Sequence, residues 1–205
     1  MLRVGLTGGL ASGKSFVGQC LAECGCFLIK ADELGHQALA PDGGAYAAVV
    51  QLFGPSVVRA DGTIDRHQLG AVVFADPAKL EALNAIVHPA VRRLGDALMK
   101  EYAQQNPDGI VVYEAAILVE TGSFRQFDRL IVAVCTEEEQ IARAMARDGS
   151  TREEVLARLR RQFPLAEKVK HAHYVVDTSG TREQTRARAH EVYRDLVQFS
   201  TRRQS

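Results

Sequence analysis

An apolar strand pattern that runs directly into a glycine-rich loop and then into a helix is the feature that most restricts how this chain can fold. Leu2-Arg3-Val4-Gly5-Leu6 reads as a first strand, and residues 14–24 read as the helix that follows. Between them, Gly8-Gly9-Leu10-Ala11-Ser12-Gly13-Lys14-Ser15 satisfies G-x-x-x-x-G-K-[S/T] at Gly8, Gly13, Lys14 and Ser15. Glycines let the backbone curl until several N–H groups point inward at phosphate oxygens, and the helix opening near Lys14 adds its dipole. In this pattern the lysine reaches the β- and γ-phosphates of a nucleotide, and the Ser15 hydroxyl coordinates Mg²⁺. A chance lysine after a glycine turn would lack the strand before it and the helix after it. Here both are present.

The remaining apolar runs extend the same architecture. Residues 26–29, 110–113, 130–134 and 174–176 are short and almost continuously apolar, with helical patterns between them. Strands of that kind belong to a parallel sheet covered on both faces. The expected fold is therefore α/β: a three-layer P-loop NTPase fold with a five-stranded parallel sheet. The connection between the second and third strands is far longer than the dozen or so residues that one crossover requires. It reads as a helical insert, with helices at 44–53, 66–74, 77–87 and 89–105 separated by turn signals such as Gly54-Pro55 and Asp61-Gly62. An insert of this size is a natural acceptor-substrate lobe, assigned to 33–107. A second helical elaboration at 137–166, with Thr151-x-x-Glu154 as a capping box, is the expected lid. The core is then 1–32, 108–136 and 167–205 of a single kinase domain. The last helix is expected at 181–199, with a fraying tail at 200–205.

Composition excludes several classes of function. A chain of 205 residues holds one well-filled core. Lys plus Arg equals 25 and Asp plus Glu equals 25. That balance gives no general electrostatic attraction to nucleic acid or to an anionic membrane. No apolar stretch approaches the ~18 residues of a membrane span. Cys20, Cys24, Cys26 and Cys135 form no Cys-x-x-Cys pair, so they are expected to be reduced, structural thiols in the cytoplasm. His171 and His173 lack a supporting acid or cysteine and read as surface residues, not metal ligands.

A phosphate loop alone does not separate a kinase from a GTPase switch or a nucleotide-gated adaptor. Asp32-Glu33-Leu34-Gly35 matches the D-x-x-G of GTPases, but it follows Lys14 too closely to leave room for a switch segment and a strand. No Asn-Lys-x-Asp element occurs. Asp32 follows the second strand, on the edge where open α/β sheets bind ligands. Its carboxylate either takes a proton from an acceptor hydroxyl or N-caps a helix at 33–39, and the two roles are compatible.

Taken together, these elements resemble the dephospho-CoA kinase family. The likeness rests on residues 4–15, on Ala31-Asp32-Glu33, and on Asp65-Arg66 through Leu69 followed by Val73-Phe74, Leu83 and His88-Pro89. It continues through Asp128-Arg129-Leu130-Ile131-Val132, Gln140-x-x-Arg143-x-x-x-Arg147 and Arg158-x-x-x-Gln162, and so runs from about residue 2 to residue 180. The resemblance implies phosphorylation of the ribose 3′-hydroxyl of dephospho-CoA by ATP with Mg²⁺. The implied catalytic residues are Asp32, Lys14 and Arg143, with Asp32 activating the hydroxyl and Arg143 clamping phosphate. ATP would be held by Gly8, Gly9, Leu10, Ala11, Ser12, Gly13, Lys14, Ser15 and Phe16. The acceptor would be held by Thr7, Asp32, His88 and Arg66, and the metal by Ser15. Arg147, Arg158 and Arg161 have acids nearby and read as salt-bridged surface residues. ATP and dephospho-CoA are the implied partners, for a monomer or weak homo-oligomer. Three departures from the family pattern stand out: Phe16 where threonine is usual, Glu114-Ala115-Ala116 without the usual proline, and Thr178 near the position of the usual asparagine. The rival reading is a kinase of the same fold for nucleoside monophosphates or sugars.

Overall fold

The computed structural model of the chain describes residues 1–204. Its elements are β1 (Leu2–Gly8), α1 (Lys14–Glu23), β2 (Phe27–Lys30), α2 (Ala31–Ala38), α3 (Tyr46–Phe53), α4 (Arg66–Phe74), α5 (Pro77–Gln105), β3 (Ile110–Glu114), β4 (Arg129–Val134), α6 (Glu137–Asp148), α7 (Arg152–Leu159), α8 (Leu165–Val169), β5 (Tyr174–Asp177) and α9 (Arg182–Gln204). They form two compact units, one of Met1–Ile29 with the chain from Tyr102 onward, the other of Lys30–Glu101.

The first unit contains the sheet, ordered β2-β3-β1-β4-β5. β1 pairs in parallel with β3 (Val4 opposite Val112) and with β4 (Leu6 opposite Ile131), and β4 pairs in parallel with β5. Alternation along β1 explains its central place. Leu2, Val4 and Leu6 point into a core shared with Val17, Cys20 and Leu21 of α1 and Val192 and Leu196 of α9. On the opposite face, a Cβ added at Gly5 would meet Leu118, Phe127 and Leu130 at 3.1 Å. From Val4 to Gly8 both faces are covered, and only Arg3 near the start of the strand stays exposed. The four cysteines are free thiols, and burial pushes Cys26 up to about 12, which suits an inert thiol.

At its C-terminal end the chain departs from the expected frayed tail. α9 continues through Gln204 because its last turns are tethered. The Arg129 guanidinium lies 3.4 Å from the centroid of the Phe199 ring, and Arg203 pairs with Asp128 at 2.6 Å. Ser205 lies outside the described residues.

The second unit has its own core of Val49, Val57, Ile64, Leu69 and Val73. Asp65 caps α4 by accepting the His67 and Gln68 N–H groups, and Asp76 caps α5, whose first residue is Pro77. Two helices were expected at 77–87 and 89–105, but α5 is continuous with Pro89 inside it. A proline removes one helical hydrogen bond and crowds the carbonyl four residues earlier, which ordinarily breaks or kinks the helix. Here the apolar stripe runs through the proline. Ile86, Val87, Val91 and Leu94 all pack on Ala38, Ala45 and Ala90, and that packing offsets the lost bond.

His173, just before β5, accepts the Leu130 N–H on Nδ1 at 3.1 Å, so only its neutral imidazole makes the bond. Burial, then the nearby Arg129, hold its pKa below the ordinary histidine value. The unfolded chain therefore binds the extra proton first. The bond's contribution, of order 1 kcal/mol, is complete above about pH 6.5 and is lost as pH falls below that. The melting-temperature gap between wild type and His173→Ala should narrow from pH 7.5 to 5.5. A gap independent of pH would show that the imidazole is not an acceptor in solution.

Candidate active site

The glycine loop connects β1 to α1 in the conformation its composition requires. Gly13 has φ 80° and Ala11 has φ 53°. A Cβ at Gly13 would also lie 2.8 Å from Thr178 Oγ1, and one at Gly8 would lie 2.3 Å from Ser12 Oγ. Gly13→Ala should lower stability by about 1–3 kcal/mol, through a strained φ and collision with Thr178. Thermal denaturation reads this directly, and an unshifted midpoint would mean that the loop relaxes without loss.

Lys14 and Ser15, the first residues of α1, converge on Glu114 at the end of β3. The Ser15 hydroxyl donates to Glu114 Oε1 at 2.5 Å, and Lys14 Nζ lies 4.0 Å from the same oxygen. Both charged side chains are largely withdrawn from solvent, at 13% exposed for Lys14 and 5% for Glu114. Glu114 Oε2 is buried without a hydrogen-bond partner. A hard divalent cation takes oxygen donors and commonly shares its shell with substrate phosphates and water. The Ser15 hydroxyl and the Glu114 carboxylate suit such a cation. Among the described residues, no group of three His, Cys, Asp or Glu side chains forms a metal cage.

The rest of the loop is braced from three directions. Leu10 donates its N–H to Gln162 Oε1 at 2.9 Å and accepts Gln140 Nε2 on its carbonyl at 2.7 Å. Leu10 and Ala11 also pack on the small α6–α7 core of Ile141, Ala144 and Val155. Thr178 donates to the Ser12 carbonyl at 2.9 Å. Arg143 in turn holds Thr178, through its hydroxyl at 3.0 Å and its carbonyl at 2.7 Å, and pairs with Glu139 at 3.3 Å. Phe16 packs on the main core beneath the Arg182 and Arg186 guanidinium groups, while its N–H donates to the Gly13 carbonyl at 3.0 Å. Thr7 is fully buried and donates to the Ala116 carbonyl at 3.1 Å.

The capping boxes at Thr151/Glu154 and Thr136/Glu139 are both formed. Arg147 and Arg158 clasp Asp148 at 2.7 and 2.6 Å and hold its carboxyl well below the usual carboxylate range. His171 lies against the Phe124 ring, in keeping with a surface role.

Asp32, Arg66 and His88 belong to the second unit. Asp32 is the second residue of α2 and is exposed, and its side chain makes no hydrogen bond or ion pair among the described residues. The alternative that it caps this helix fails, because Lys30 occupies the N-cap and no side chain caps there. Asp32 and Gly35 both lie inside α2, so the D-x-x-G match is a stretch of helix and not a switch loop. His88 sits inside α5 and not at a helix boundary, since Pro89 does not end the helix. Arg66 opens α4, exposed and unpaired among the described residues. Thr178, Gln140 and Gln162 are the loop-bracing residues that sequence reasoning did not assign to the site. The two glutamines lie in the Gln140-x-x-Arg143 and Arg158-x-x-x-Gln162 motifs, but their partner Leu10 is remote in sequence.

Residues 2–184 match the family model described as dephospho-CoA kinase. A dephospho-CoA kinase from Geobacillus kaustophilus is 43% identical over 90% of this chain and 92% of its own length. One from Syntrophus aciditrophicus is 40% identical over 96% of this chain and 84% of its own. Among solved structures, TT1252 from Thermus thermophilus superposes with a TM-score of 0.79 at 36% identity, covering 95% of this chain and 96% of that one.

Proposed function

The chain belongs to the dephospho-CoA kinase family and carries dephospho-CoA kinase activity, and from that premise we propose that it transfers the γ-phosphoryl group of ATP to the ribose 3′-hydroxyl. The convergence of Lys14 and Ser15 on Glu114 at the carboxyl end of β3 is the observation that carries this reading. Backbone N–H groups of the loop and the start of α1 cradle the phosphates. Lys14 lies against the β- and γ-phosphates, where negative charge builds as the bridging P–O bond breaks. Arg143 supplies a second cation for the same charge, and Thr178 holds its guanidinium before substrate arrives. Asp32 accepts the proton of the attacking hydroxyl as the new P–O bond forms, and ADP leaves. Ser15 and Glu114, the latter through water, are the groups that would hold Mg²⁺, which when bound neutralises phosphate charge. Arg66 and His88 bind the acceptor, the region 33–107 forms its lobe, and 137–166 acts as the lid; Thr7, buried with its hydroxyl on the Ala116 carbonyl, braces the end of β1 and does not meet the acceptor.

The test is a panel of acceptors incubated with the protein and MgATP: dephospho-CoA, nucleoside monophosphates and sugars. ADP should appear with dephospho-CoA alone, and ³¹P NMR of the product should show a new phosphomonoester on the ribose. ADP released with a nucleoside monophosphate but not with dephospho-CoA overturns the assignment.

A further inference from the structure

Lys168 on α8 has a fully buried side chain, and a lysine is almost never fully buried unless it is paired. Its ammonium donates to the Ala116 carbonyl at 2.6 Å and lies 2.7 Å from Glu120 Oε1. The Ala116 carbonyl is a shared acceptor, because the Thr7 hydroxyl donates to it as well. Thr7 directly precedes Gly8 of the phosphate loop. Ala116 follows two residues after Glu114, whose carboxylate holds Ser15. Glu120 Oε1 also accepts the Phe163 N–H at 3.0 Å, which joins the α7–α8 connection to the same knot. Burial lowers the Lys168 pKa, Glu120 acts to raise it, and the charge of Lys14 lowers it further.

A purely structural role gives weak grounds for this pair. Exchanging a buried ion pair for apolar groups of similar volume is often neutral or stabilising, whereas removing one partner is costly. What an apolar side chain cannot do is hold a carbonyl in place. We propose that Lys168 is a positioning residue for phosphoryl transfer. By fixing the Ala116 carbonyl, it holds Glu114 and Thr7, near the ends of the paired strands β3 and β1, in place beside the phosphate loop. This rests on the kinase reading above.

The experiment compares wild type, Lys168→Met and the double variant Lys168→Met/Glu120→Gln, measuring the melting midpoint, kcat and the KM for ATP with dephospho-CoA as acceptor. Lys168→Met should lose both stability and turnover, since it strands the Glu120 carboxylate. The double variant carries no unpaired buried charge and should regain most of the melting midpoint. Its kcat should nevertheless stay about 10- to 100-fold below wild type, the scale of a mispositioned reacting group, with the ATP KM within about threefold. A double variant that recovers turnover together with its melting midpoint makes the pair a stability element and overturns the proposal. A wild-type protein that leaves dephospho-CoA unphosphorylated overturns the kinase reading itself and the proposal with it, and it is recognised before any variant is compared.

Discussion

Lys14→Ala is expected to lower kcat/KM for ATP by about 10³-fold, the scale seen when a preorganised donor to developing charge is removed from a water-excluded site. The structure makes that site unusually sensitive to the change. The Lys14 ammonium lies 4.0 Å from Glu114 Oε1 in surroundings that leave the two side chains 13% and 5% exposed. Without the lysine, the Glu114 carboxylate keeps the Ser15 hydroxyl as its hydrogen-bond donor and faces the nucleotide phosphates with its negative charge less compensated. Binding should weaken for that reason, and turnover should fall further because the charge on the β- and γ-oxygens grows in the transition state. Lys14→Arg should not restore the rate, since a planar guanidinium cannot take the place of a compact ammonium. The measurement is a coupled assay of ADP release, with ATP titrated separately to resolve binding from turnover. More than a tenth of wild-type activity in Lys14→Ala would remove this residue from the phosphate site.

A contrast between local and remote determinants explains which features were legible in the sequence. The loop from Gly8 to Ser15 could be read directly because its glycines answer backbone requirements set within a few residues: a positive φ at Gly13 and a close approach at Gly8. The strands were legible because a sheet buried on both faces leaves continuous apolar runs, and the Thr151/Glu154 capping box because it is a contact three residues long. Pro89 misled because its local preference was overridden by an apolar stripe packed on Ala38, Ala45 and Ala90. The tail beyond Phe199 misled for a similar reason, since Arg129 and Asp128 fix it from far away in sequence. Thr178 stands out in the sequence only as a departure from the family pattern, with no role attached. Its importance comes from touching Ser12 and Arg143, and nothing in a Thr-Ser-Gly turn announces that. Lys168 was equally silent, because a lysine in a short helix reads as solvated until its burial is seen.

Asp32→Asn is expected to reduce kcat by about 10²- to 10⁴-fold, the range for a lost general base, with the KM for dephospho-CoA little changed. Asparagine keeps the shape of the side chain and can still accept a hydrogen bond from the ribose hydroxyl, but it cannot take the proton. Binding is therefore largely preserved while the chemical step fails. The competing role, a helix cap, predicts the opposite pattern. In the structure Asp32 lies within the first turn of α2 and caps nothing, so its local contribution is limited to placing negative charge near the positive end of a short helix. That is worth about 0.3–1 kcal/mol at an exposed position and is screened by salt. Glu33 supplies a second acid in the same turn, so the loss on Asp32→Asn should be at the low end of that range. Activity and stability thus separate cleanly. A variant that turns over at the wild-type rate but melts several degrees lower would assign Asp32 to the helix and leave proton removal to another group or to solvent. A variant with a nearly unshifted melting midpoint and a kcat lowered by two orders of magnitude or more would assign it to the acceptor hydroxyl. Single-turnover rates in preformed ATP complexes would sharpen the distinction, because they exclude product release as the step that changed.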